Sequence, residues 1–243
     1  MSRSEIIHYL ILRTIGNFLF LFAIFGVLAT FGPAVFYEAK FRADEIRGIH
    51  YIVYAPQNQM TPFGKILEEQ KSNFLTRKNT SFADILIGSK EQVLTPKDTE
   101  FSILIPKIGA NVQVFPNVDP ALQDEFLPIL QKGIAHAKGT VFPGMPGNIY
   151  LFAHSTDNFW DVGRYNAVFY LLKDLSIGDQ IVIFFENRRY NYKVNKTQIT
   201  EPSDVSYFAK AQQGEETLIL QTCWPPGTTW KRLLVFAKRN NSE

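Results

Sequence analysis

The chain has 243 residues, 46% of them hydrophobic, with 25 basic and 23 acidic side chains and a formal net charge of +2. That length and apolar content build one domain of ordinary size plus an appendage, and they exclude disorder over most of the sequence. The charges are mixed without long runs of either sign, which excludes the basic footprint of a nucleic-acid binder; the single cysteine, Cys223, excludes an intramolecular disulfide and a Cys-rich metal framework.

The first element is apolar. Residues 14–36 read TIGNFLFLFAIFGVLATFGPAVF with no charged side chain. At about 1.5 Å per residue, a helix of that length crosses a hydrocarbon core about 30 Å thick. It exceeds the roughly 7–15 apolar residues of a cleavable signal peptide, so it reads as a retained single-span anchor. Arg3 and Arg13 before the span oppose Lys40, Arg42 and Arg47 after it, so charge alone sets no orientation.

Residues 37–99 read as a linker. EAKFRADEIR at 38–47 alternates charges as a helical, solvated stalk would, and the remainder carries Pro56, Pro62 and Pro96, polar runs such as RKNTS, and a helix-like stretch at 63–75. From Glu100 the texture changes to short β-branched and aromatic runs bounded by Gly, Pro and Asn: FSILIPKI, ANVQVF, NIYLFAH, QIVIFF, RYNYKVNKTQI, TLILQT and RLLVFAK. Strands at this spacing predict an all-β domain over 100–239, a closed or nearly closed barrel with helical pieces at 120–132 and 167–172, followed by a short tail at 240–243. The SIGD and NRR turns around QIVIFF predict antiparallel hairpins.

Three side chains in this texture carry chemistry. Cys223 ends an apolar run and is followed by WPPGTTWK, a loop stiffened by Pro225, Pro226 and Gly227. Arg232 opens the next run, and a connection of that length joins antiparallel neighbours, which sets Cys223 and Arg232 at the same end of adjacent strands. His154 ends NIYLFA ahead of the polar turn STDN. A free thiol is only a few per cent ionised at neutral pH; an imidazolium beside it lowers its pKa, and the same imidazole then protonates a departing amine. A guanidinium stabilises the oxyanion of a tetrahedral intermediate. Taken singly, each has a blander reading: a small buried hydrophobe, an edge histidine, a solvated charge.

Taken together they form a known pattern. ILQTCWPPGTTWKRLLV at 219–235 resembles the signature of sortases, bacterial surface-protein transpeptidases, in which a TLxTC strand and a loop precede an Arg that opens the next strand; Ile219 stands where the first Thr is usual. GIAHAKGTVFPGMPGNIYLFAHS at 133–155 is similar to the family's approach to its catalytic His, and SILIPKIGANVQV at 102–114 to its opening strands. The resemblance implies an eight-stranded β-barrel outside a bacterial membrane, with residues 1–13 on the cytoplasmic side. It implies that Cys223 attacks the Thr–Gly bond of an LPxTG-like sorting signal, that His154 serves as acid and base, and that Arg232 holds the carbonyl oxygen, with Thr222 a lesser candidate for substrate contact. The implied partners are surface proteins bearing the sorting signal and an amine acceptor, such as a peptidoglycan precursor or a pilin lysine.

His136 precedes the AKGT turn rather than ending a strand and is set aside in favour of His154; Asp157 and Asp161 read as loop carboxylates. Trp160, Trp224 and Trp230 either line a peptide groove or cap the core. No cofactor is called for, and the acidic residues form no recognisable Ca²⁺ loop, so no metal site is expected. Two other functions compete with transpeptidation: a tethered barrel that binds peptide or cell wall without turnover, and a cysteine peptidase whose acyl enzyme is resolved by water. The class within the family is not assigned.

Overall fold

The computed structural model describes residues 3–53, 91–154, 167–209, 211–226 and 228–240. Helix α1 (Arg3–Arg47) runs unbroken for 45 residues. Within it, Arg3–Leu28 is long and apolar enough to cross a membrane, with mean hydropathy 2.0 and none of its window buried against the rest of the chain. The helix-like stretch at 63–75 lies outside the described residues.

Eight strands close into a barrel: β3 (Phe101–Ile105), β4 (Ala110–Val118), β5 (Ile134–Ala137), β6 (Asn148–Phe152), β7 (Gln180–Phe185), β8 (Arg188–Thr200), β9 (Thr217–Trp224) and β10 (Lys231–Arg239). Around the ring the order is β10-β8-β7-β3-β4-β5-β6-β9. Seven of these coincide with the apolar runs of the sequence. The eighth, β5, is IAHA, too short and too poor in β-branched residues to stand out, and its pairing with β4 and β6 is what makes it a strand. Helix α2 (Gln123–Leu130) and a 3-10 helix (Ala167–Asp174) occupy the two expected helical stretches, and a short helix α3 (Ser206–Ala209) follows β8. The β7–β8 hairpin turns on Glu186 and Asn187, both with positive φ, while Phe185 pairs Arg188; a two-residue turn of that hand matches the twist of the strands.

Alternation along the strands sorts the side chains into layers. The interior takes Ile103, Ile105, Ile149, Leu151, Ile181, Ile183, Leu218, Leu220, Leu233 and Val235, all buried. The outer faces are covered at two places, which explains why several strands read as continuous apolar runs. Outside β3 and β7, Leu104, Val182 and Phe184 pack under Val53 and Leu94. Those two residues belong to β1 (His50–Val53) and β2 (Glu91–Leu94), a parallel pair formed by the two ends of the segment expected to be linker. Outside β5, β6, β9 and β10, Tyr150, Phe152, Ile219 and Leu234 form a second buried cluster, flanked by Phe126 and Ile129 of α2 and by Tyr207 and Phe208 of α3.

The expected solvated stalk is helical, as anticipated, but docked. Phe41 is 9% exposed, Lys173 donates to Glu38 at 2.8 Å, and Arg42 bridges Glu38 at 3.0 Å, Glu45 at 3.2 Å and Asp174 at 3.2 Å. The alternating charges are therefore spent on the 3-10 helix of the barrel as well as on solvent.

Candidate active site

Strands β6, β9 and β10 are consecutive in the ring, with β9 in the middle. Arg232 of β10 is the cross-strand partner of Cys223 in β9, so their Cβ atoms lie on one face about 4.5–5.5 Å apart. On the other side β6 runs parallel to β9, with Phe152 level with Gln221. The backbone N–H of Ala153 donates to the Gln221 carbonyl at 3.2 Å, which carries the pairing one step past the end of β6. His154, the next residue, thus leaves its strand at the level at which Cys223 stands in β9. Parity agrees: Ile149, Leu151 and Ala153 belong to the interior, as do Leu218, Leu220, Leu233 and Val235, so His154, Cys223 and Arg232 all fall on the outward set. The row is imidazole, thiol, guanidinium across three neighbouring strands, on the outer wall of the barrel at one end.

Both neighbours of the thiol are half-buried, as is the thiol itself. Burial pushes the Cys223 thiol above its ordinary value, and the charge of Arg232 pulls it back in part. The guanidinium is braced by its own loop, one Nη donating to the carbonyls of Thr229 and Lys231, each at 3.1 Å. Beside it Lys231 bridges Glu201 at 3.2 Å, tying the start of β10 to the segment that follows β8. In that segment Asp204 accepts from the Thr200 hydroxyl at 2.8 Å and from the Ser206 hydroxyl at 2.6 Å, which holds its carboxyl below the usual range, Ser206 contributing most.

Thr222 lies on the inward set of β9, only 2% exposed, and its hydroxyl has no hydrogen-bond partner among the described residues. A hydroxyl so placed stands on the opposite face of β9 from the Cys223 thiol. Trp224 packs against the interior cluster, while Trp230 is 73% exposed in the β9–β10 loop. Trp160, Asp157 and Asp161 lie outside the described residues. His136 is fully buried: Asn117 N–H donates to its Nδ1 at 3.3 Å, its Nε2 lies 3.0 Å from both the Val141 carbonyl and the Thr140 hydroxyl, and its ring stacks on Phe142. It is a core residue.

Two polar side chains near the thiol escaped the sequence reading. Tyr150 of β6 donates its hydroxyl to Oε1 of Gln221 at 2.7 Å. The one signal was Gln221 itself, a polar residue inside an otherwise apolar run. No three His, Cys, Asp or Glu side chains among the described residues are grouped to hold a metal. A 570 Å³ cleft between the end of α1, β1 and the β3–β4 turn lies across the barrel from Cys223 and includes none of the three residues of the row.

The closed barrel thus sets the Cys223 thiol between the position of His154 and the Arg232 guanidinium. The chain belongs to the sortase family: the Sortase domain model matches residues 103–240. It is similar to Sortase D of Bacillus subtilis, 30% identical over 138 residues that make up 56% of this chain and 61% of that protein, so it spans about three-fifths of the length of that relative. Among solved structures it resembles the lid mutant of Streptococcus agalactiae Sortase C1, at 23% identity over 59% of this chain and 69% of that one with a TM-score of 0.49. It also resembles a Clostridium perfringens Sortase D5 transpeptidase, at 25% identity over 72% and 89% with a TM-score of 0.48.

Proposed function

We propose that this sortase is a membrane-anchored cysteine transpeptidase that cleaves an LPxTG-like sorting signal and passes the acyl group to an amine of the cell wall or of another protein. The observation that carries the reading is the register of β9 with both neighbours, which brings His154, Cys223 and Arg232 into one row. In the first half-reaction the Cys223 thiolate attacks the threonyl carbonyl carbon. An S–C bond forms, the oxygen takes up negative charge opposite Arg232, and collapse of the tetrahedral intermediate breaks the C–N bond to glycine while His154 gives the departing amine a proton. In the second, an acceptor amine attacks the thioester, His154 takes its proton, and the thiolate leaves. Helix α1 would hold the barrel at the outer surface of a bacterial membrane, facing surface proteins on one side and a peptidoglycan precursor or pilin lysine on the other.

The test is incubation of the full chain, in detergent, with a labelled sorting peptide and an amine acceptor. The expected result is ligated product and a thioacyl adduct on Cys223 by mass spectrometry, both absent from Cys223→Ala. Undiminished product from that variant would end the proposal, and release of hydrolysed peptide at a rate indifferent to added amine would replace it with the peptidase.

A further inference from the structure

On the outer face beside Cys223, Gln221 interrupts the apolar cluster of Tyr150, Phe152, Ile219 and Leu234. Gln221 sits two residues before Cys223 on the same face of β9, with Phe152 level with it on β6 and Leu234 opposite it on β10, both buried. Burying an amide among such neighbours is costly unless its polar atoms are used. Half of it is: Oε1 accepts the Tyr150 hydroxyl at 2.7 Å. Tyr150 is 2% exposed and wedged against Phe208, with ring centroids 4.4 Å apart, so the donor is fixed from behind. With the carbonyl end of the amide pinned, the Nε2 end has a set direction, and among the described residues it has no partner. Gln221 as a whole is only half-buried, so its two N–H donors remain open to a ligand.

We propose that Gln221, oriented by Tyr150, is a specificity-determining residue of the acyl-donor site. It donates to a hydrogen-bond-accepting side chain, an amide or hydroxyl oxygen, on the peptide. Two residues of strand span about 6.6 Å, a distance that the side chain just before the threonine, the variable position of an LPxTG-like signal, can reach from the scissile carbonyl held at Cys223. A peptide laid over these donors takes them out of water, so an aliphatic analogue that leaves them unpaired is rejected more strongly than an apolar site rejects a polar side chain. This inference rests on the transpeptidase reading above.

The experiment compares kcat/KM of the full chain in detergent on paired peptides that differ at the position immediately N-terminal to Thr–Gly, one member carrying Asn or Thr and the other Leu or Val. Wild type is expected to prefer the polar member. Gln221→Leu and the isosteric Gln221→Glu, which replaces the donors with acceptors, are each expected to cut that preference about five- to tenfold, the range a single hydrogen bond supplies. Tyr150→Phe is expected to cut it by a smaller factor in the same direction, since the amide is then free to turn. Because each value is a ratio within one protein, a partly misfolded preparation does not disturb it. Unchanged ratios in an active wild type and active variants, or a uniform fall on both members of every pair, would overturn the specificity role alone. A wild type that turns over no member of the panel overturns the transpeptidase reading and this one with it.

Discussion

Cys223 and Arg232 are cross-strand partners in the β9–β10 hairpin, and the guanidinium charge acts on the thiol against the effect of burial. Two consequences can be separated. Arg232→Ala is expected to lower acyl transfer by about 10²–10³-fold, the usual loss when one oxyanion donor is removed. It also leaves burial unopposed, so the thiol pKa rises further and the pH profile of Cys223 alkylation by iodoacetamide moves to the alkaline side of the wild-type profile. An unmoved profile would mean that the guanidinium does not act on the sulfur, and a shift toward acid would reverse the sign of the interaction.

The juxtamembrane clamp makes a second prediction. Glu38 meets Lys173 at 2.8 Å and Arg42 at 3.0 Å, and its carboxyl is held below its ordinary value of 4.5, chiefly by the Lys173 hydrogen bond. For an acid whose pKa is lowered on folding, the contribution to stability is complete above the ordinary value and is lost as pH falls through the lowered one. Glu38→Lys and Lys173→Glu are each expected to weaken docking, and the double exchange to restore part of it. For side chains 30% and 21% exposed the coupling should stay within about 0.2–1 kcal/mol. A thermal double-mutant cycle reads it, and strictly additive effects would show that the pair contributes nothing.

These two cases mark what local sequence carries and what it does not. The β9–β10 hairpin was legible because both strands are apolar runs joined by a short Pro- and Gly-containing loop, which fixes direction and level together. The His154 side was legible only as a strand end; that β6 lies parallel to β9 depends on a crossover of more than sixty residues that periodicity does not see. The clamp was read as a free stalk because the partners of Glu38 and Arg42, Lys173 and Asp174, stand more than a hundred positions away in sequence. Strands β1 and β2 were missed for a similar reason: four residues each, they become strands only by pairing across a long connection and covering Leu104, Val182 and Phe184. Thr222 was read for its neighbour in sequence, whereas alternation turns its side chain to the opposite face from Cys223.

His136 provides a pH test independent of activity. Burial lowers its pKa below the ordinary 6.5, with a partial offset from the Val141 carbonyl. The folded state therefore favours the neutral ring. Stability from this residue is complete above the ordinary value and declines as pH falls from there through the lowered one, because the unfolded chain takes up the proton first. Denaturant unfolding of the full chain in detergent is expected to show a loss of free energy below that point that is smaller in His136→Gln, which keeps hydrogen-bonding capacity without the charge. An identical pH dependence in the variant would assign the acid lability to other groups.

Thr222 separates packing from chemistry. Its buried hydroxyl has no partner among the described residues, and an orphaned buried polar group costs about 1–3 kcal/mol. Thr222→Val removes the orphan at nearly constant shape, so the variant is expected to be more stable by about 1 kcal/mol, read as a rise in the denaturation midpoint. The transfer rate then decides what the hydroxyl is for. If it serves the reaction by fixing the strand behind Cys223, the more stable variant turns over more slowly, with kcat falling and KM for the peptide unchanged. If it reaches the substrate after a local rearrangement of β9, KM rises instead. A variant that gains stability and loses neither would leave the threonine without a part in catalysis, and one that loses stability would show that the hydroxyl is satisfied after all.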